Sequence, residues 1–87
     1  MSLDKYQREE FAKNIVSAAD LSGSFEGDEF VGHFREFQGV NVSNFGQNQI
    51  TDWIKYEKKS EARNFIKHNT KNPKAVLDYL IKNVNPK

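Results

Sequence analysis

The chain has no cysteine, which removes disulfide staples and thiolate metal sites at once. Proline occurs twice, histidine twice, and methionine and tryptophan once each. No apolar run approaches the ~20 residues that span a bilayer. The polar start (Asp4, Lys5, Arg8, Glu9, Glu10) has no apolar segment or small-residue cleavage site of a secretory signal. The expectation is a small, soluble cytoplasmic protein with no membrane partner. The triplet Asn41-Val42-Ser43 matches a glycosylation acceptor but means nothing without such a signal.

Catalytic chemistry is equally thin. There is no glycine-rich phosphate cradle, and the two histidines, His33 and His68, stand on different predicted helices. The acidic run from Asp20 to Glu29 fails as a calcium loop. Counted from Asp20, such a loop needs glycine at 25 and a bidentate acid at 31, where Phe25 and Val31 stand. Asp28 and Glu29 are better read as favouring a helix N-terminus. No metal, no cofactor and no enzymatic activity are expected.

What the chain does have is aromatic bulk and helical periodicity. Its 87 residues suffice for one domain, 1–87, and include seven Phe, three Tyr and one Trp. Asp4 with Gln7 three residues on forms a capping box. Phe11, Ile15, Ala18 and Ala12, Val16, Ala19 then recur at helical spacing, predicting a first helix from about 5 to about 20 that stops at Ser22-Gly23-Ser24. Phe30, Val31, Phe34 and Phe37 load one face of a second helix, with Gly39 as its C′ residue. Gly32 lies inside that helix, where glycine costs about 1 kcal/mol against alanine; close packing against another helix is the expected reason.

Residues 39–46 read as a connector in which Val40 and Val42 alternate as in an extended piece. Asn44 followed by Gln47 starts a third helix that turns Ile50, Trp53 and Ile54 inward. The stretch from Lys55 to Glu61 is polar nearly all round. Two readings follow: one helix over 47–68, or a break near 58–60 with Ser60 capping a fresh helix that buries Ala62, Phe65 and Ile66. Asn72-Pro73 then opens a last helix, burying Val76, Leu77, Leu80 and Ile81, which Asn85-Pro86 ends. The expected fold is all-α: a single small domain of four to five short helices around an aromatic-rich core.

Charge is segregated along the chain. Residues 1–44 carry four Lys/Arg against eight Asp/Glu, a net of −4. Residues 45–87 carry nine against four, a net of +5. Such a dipole bears on partners rather than on fold. Lys55, Lys59, Arg63, Lys67 and Lys71 fall at i+4 steps. On one continuous helix they would form a ridge winding by about 40° per step. Like charges so spaced oppose the helix by a few tenths of a kcal/mol per pair, so the ridge needs offsetting acids, such as Glu57 and Glu61, or an anionic partner. Tyr56, Asn64 and Asn69 lie among these charges, the mixture found on surfaces that follow a nucleic-acid backbone. A solvated lysine face is the plainer alternative.

The segment Gln47-Asn48-Gln49-Ile50-Thr51-Asp52-Trp53-Ile54-Lys55 resembles the recognition helix of helix-turn-helix regulators. There, polar residues at the helix start face base edges while an Ile and a Trp anchor the helix to the core. The resemblance implies base-facing roles for Gln47, Asn48 and Thr51. A second, fainter likeness is to small helical phage proteins that bind the transcription machinery, such as phage anti-sigma factors. It rests on Phe30-Val31 through Glu36, Gly39-Val40 and Leu77-Asp78-Tyr79-Leu80, and carries over no binding residue.

Together these features predict a small non-catalytic regulatory binding protein, associated with nucleic acid through Lys55, Lys58, Lys59, Arg63 and Lys67, with Gln47, Asn48 and Thr51. The alternative is a protein-interaction adaptor or inhibitor of phage or bacterial type that binds a partner such as the transcription machinery. Phe25, Phe30 and Phe37 discriminate: an exposed apolar patch around them favours the adaptor, and their burial together with a clustering of the lysines favours nucleic acid.

Overall fold

The computed structural model of the chain describes residues 2–42 and 44–84. Among them lie five α-helices and no strand: α1 (Lys5–Ala18), α2 (Phe25–Glu36), α3 (Asn44–Tyr56), α4 (Lys59–Lys67) and α5 (Pro73–Val84). They form a slab of 30 × 30 × 17 Å, about two helices thick. The all-α class and the buried aromatic cluster agree with the sequence reading.

The capping box at the start of α1 is complete. The Gln7 amide donates to Asp4 Oδ1 at 2.8 Å, and the Asp4 amide donates to Gln7 Oε1 at 2.9 Å. The helix ends at Ala18, short of the predicted boundary, because Asp20 turns into the left-handed region (φ +63°). The Leu21 amide then donates back to the Val16 carbonyl at 2.8 Å. Within the predicted stop, Ser24 has a second duty as N-cap of α2: its Oγ accepts from the Gly27 amide at 3.0 Å and donates to the Leu21 carbonyl at 2.8 Å.

The glycine that close packing requires is Gly27, not Gly32. A Cβ on Gly27 would overlap the Leu21 carbonyl oxygen and crowd Val16 Cγ1. A Cβ on Gly32 would meet nothing within 4 Å. Gly32 instead lines a shallow groove of about 630 Å³ together with Lys13, Val16, Val31 and Arg35.

Two further expectations about α2 need correction. The helix ends at Glu36, and Phe37 is already extended, so Gly39 (φ +83°) sits in the connector rather than at C′. Phe37 leaves the helix to set its ring edge-on against Phe34, 6.1 Å between centroids. In the first turn the acids are Glu26 and Asp28. Glu29 is not one of them; its Oε1 accepts a hydrogen bond from the buried Thr70 hydroxyl at 2.8 Å.

Arg8 fastens the N-terminal segment and the end of α2 together. Its Nη1 donates to the Leu3 carbonyl at 2.8 Å and its Nε to the Arg35 carbonyl at 2.9 Å. The Leu3 amide donates to the Val40 carbonyl at 2.8 Å, so the extended connector is held by the chain start. Val40 is buried and Val42 packs against the core.

The second half breaks where the apolar stripe lapses. The Trp53 carbonyl accepts from both Glu57 and Lys58 amides, at 3.0 and 3.1 Å, closing α3 before α4 begins. Lys58, not Ser60, holds the N-cap position, and it makes no side-chain capping bond; Ser60 lies inside α4. Asn72 caps α5 as expected, its Oδ1 accepting from the Ala75 amide at 3.3 Å. Val76, Leu77 and Leu80 are buried, whereas Ile81, at the margin of that stripe, is 36% exposed. The predicted stop at Asn85-Pro86 lies outside the described residues. Ile50 and Ile54 of α3, and Ala62 and Ile66 of α4, complete a core centred on Phe11, Phe30 and Phe34, with Phe34 edge-to-face against both others.

The two glycines have opposite expected behaviour in denaturant unfolding. Gly27→Ala should destabilise the chain by about 1–3 kcal/mol through overpacking, against its own helix-propensity gain. Gly32→Ala should stabilise it by up to about 1 kcal/mol. Equal effects of the two would contradict this assignment of the close approach.

Candidate nucleic-acid interface

Burial of Ala62 and Ile66 fixes the rotation of α4. At 3.6 residues per turn, Lys59, Arg63 and Lys67 then run along one flank, and Glu61, Phe65 and His68 along the other. The second flank is anchored by aromatics. Phe65 stacks on Tyr79 of α5 (4.1 Å between centroids, 6° between planes), and Trp53 of α3 meets Tyr79 edge-on at 6.2 Å. One tyrosine ring thus ties α3, α4 and α5 together and sets the angle of the α3–α4 elbow.

The basic flank meets the acidic half of the chain. Lys59 Nζ lies 3.4 Å from Asp20 Oδ2, in the turn after α1. Past the end of α4, Lys71 Nζ lies 3.9 Å from Glu29 Oε2 on α2. The charge dipole of the sequence is therefore partly closed within the molecule. The Lys59–Asp20 contact is solvent-accessible and contributes little to stability; in the second, Lys71 is exposed while Glu29 is mostly covered, and each contact occupies a cation. The five cations at i+4 steps do not form one ridge: Lys55 belongs to α3, Lys59, Arg63 and Lys67 to α4, and Lys71 to the loop beyond.

Of the predicted cationic residues, Lys55, Lys58, Arg63 and Lys67 make no ion pair among the described residues. Lys55 and Lys58 stand at the elbow, where a shallow hollow of about 540 Å³ is lined by Lys55, Tyr56, Glu57, Lys58, Lys59, Ser60 and Glu61. Tyr56 is 72% exposed, and Lys55 Nζ lies over its ring, 5.3 Å from the centroid. Lys58 leaves the first turn of α4 without a side-chain cap, and that turn carries the carboxylate of Glu61, which offsets the positive end of the helix.

Gln47, Asn48 and Thr51 are not brought to this elbow. Gln47 lies near the start of α3, nine residues or about 13 Å of helix from Tyr56. The Gln47 amide nitrogen points to the Val42 carbonyl at 3.5 Å, and the Thr51 hydroxyl turns back to the carbonyls of Gln47 and Asn48 at 3.2 and 3.1 Å. Asn48 is exposed. Residues 37–42 between α2 and α3 carry no regular structure, so the likeness to a recognition helix is confined to α3.

The histidines are both exposed, with His68 Nδ1 2.8 Å from the Asn64 carbonyl. Among the described residues, no group of three His, Cys, Asp or Glu side chains is placed to hold a metal ion, and no helix is long and apolar enough to cross a membrane. Asp20 and Tyr79, which place Lys59 and the elbow, were missed as site-shaping residues in the sequence. Their partners are distant along the chain and no local spacing marks them. No family model matches the chain, and no curated protein or solved structure matches it.

Burial raises the Tyr79 hydroxyl above its ordinary value of 10.0, and the carboxylate of Glu61 pushes it further up. The folded chain thus keeps this proton to higher pH than the unfolded chain does. Its contribution to stability is complete below about pH 10 and is lost as pH rises through the folded value. Tyr79→Phe retains the ring stack, so urea unfolding as a function of pH should show a shallower alkaline decline in that variant than in the parent.

Proposed function

We propose that this chain is a small non-catalytic binding protein of the cytoplasm that contacts nucleic acid through the α3–α4 elbow and the basic flank of α4. The observation that carries the reading is the set of cations left over once the internal pairs are made: Lys55, Lys58, Arg63 and Lys67, on two successive elements, with a polar hollow between the first two. Phosphate is the ligand chemistry such a set fits, because ammonium and guanidinium groups act on it as position-fixing charges without reading sequence. Lys59 belongs to the same surface but shares its charge with Asp20.

The three discriminating phenylalanines favour this reading over the adaptor. Phe30 is fully buried and Phe37 packs against the core, leaving Phe25 alone exposed, at 74%. A lone aromatic at a helix start is no extended apolar docking patch.

Anisotropy titration of a labelled random-sequence DNA duplex, and of its separated strand, from low to physiological salt tests the proposal. Log affinity should fall linearly with log salt, with a slope of about −2.7 to −3.6 for the duplex and about −2 to −3 for the strand if some three or four phosphates are contacted. Replacing Lys58 and Arg63 together by alanine should weaken binding across all sequences and make the slope shallower by about 1–2. Absence of binding to either form at low salt would reject the proposal, and unchanged affinity in the double variant would reject this face.

A further inference from the structure

We infer that the elbow takes single-stranded in preference to duplex nucleic acid, with Tyr56 as the platform on which an unpaired base stacks. The inference rests on the nucleic-acid reading above and adds the substrate class.

Tyr56 stands between two hollows. On one side is the lysine-lined hollow already described. On the other is a hollow of about 350 Å³ lined by Gln49, Asp52, Trp53, Tyr56, Glu57 and Val84. Tyr56 lines both, and the residue is 72% exposed besides its Lys55 contact. An exposed aromatic flanked by cations is the minimal single-strand site: the charges track the backbone and the ring takes the π-face that every base offers. Lys55, held over the ring, is placed for a phosphate adjoining the stacked base.

The acids decide between strand and duplex. Asp52 and Glu57 line the second hollow, which has no lysine in its wall among the described residues, and Glu57 and Glu61 stand among the lysines of the first. A duplex presents a phosphate charge for every ~1.7 Å of a stiff axis and would carry phosphates past these carboxylates. A single strand is flexible enough to turn its phosphates to Lys55 and Lys58 and its base edges to Gln49, Asp52 and Glu57. Those side chains accept hydrogen bonds from the exocyclic amines of cytosine, adenine and guanine; in a duplex pairing takes the Watson–Crick-edge hydrogen of each amine and leaves the other inside a groove, away from a ring that must stack on the base.

The test compares a labelled mixed-sequence strand of about 12 nucleotides, within the site sizes of small single-strand binders, with the same strand annealed to its complement. The strand should bind more tightly than the duplex and quench Trp53 emission. Tyr56→Ala should weaken strand binding about tenfold while leaving duplex binding unchanged, and Tyr56→Phe, which keeps the ring, should leave both unchanged. A duplex bound as tightly as the strand, or a Tyr56→Ala variant that loses less than about twofold in strand affinity, overturns the single-strand inference and leaves the phosphate-contact reading standing. No binding of either form by the parent overturns both.

Discussion

The contact between the first turn of α2 and the Leu21 carbonyl governs how the rest of the chain can pack, because it leaves no volume for a side chain at Gly27. That approach holds α2 against α1 at the hairpin end, where Ser24 caps one helix while bonding to the turn that ends the other. With the hairpin closed, Phe34 reaches Phe11 and Phe30 edge-on, the geometry in which the positive ring edge meets the negative face. Arg8 closes the far end by satisfying carbonyls of Leu3 and Arg35 that a helix end and a loop would otherwise leave to water. The turn carrying Asp20 is fixed by the same hairpin, and with it the acid that meets Lys59.

What the sequence made legible were the features whose cause is local. The capping box of Asp4 and Gln7 and the Asn72-Pro73 start of α5 each depend on residues within one turn of each other, and each stands where its spacing put it; of the two readings of 47–68 the broken one holds, with the break slightly earlier than 58–60. The misplacements have non-local causes. Gly32 and Gly27 are indistinguishable by propensity; only the returning chain at Leu21 selects Gly27. Phe37 fits the helical stripe of α2, yet its backbone is extended and its ring packs edge-on against Phe34. Ser60 is a better capping residue than Lys58, but the carbonyl of Trp53 takes two amides and fixes the boundary earlier.

The candidate surface illustrates the same division. Charge segregation along the chain was plain to count, and the lysines were plain to name. Which of them retain their charge for a partner was not, because that depends on Asp20 and Glu29 arriving from the first half. A sequence dipole of this kind overstates the external field: where opposite halves fold against each other, the charges nearest the seam neutralise in place and only those beyond it reach outward. Here the seam takes Lys59 and Lys71 and leaves Lys55, Lys58, Arg63 and Lys67.

That sorting also bears on what the elbow is for. A polyanion-binding surface selected only for affinity would gain from losing Asp52, Glu57 and Glu61, since each lowers the local potential without any compensating ion pair among the described residues. Their presence around an exposed aromatic fits the proposed ligand, an unpaired nucleotide, which offers both phosphates and hydrogen-bond donors within a few ångströms. On the proposed reading the Tyr79 cluster would contribute beyond packing: by joining Phe65 and Trp53 it ties α3 and α4 through α5, and an elbow braced in this way would have less ordering entropy to lose on binding.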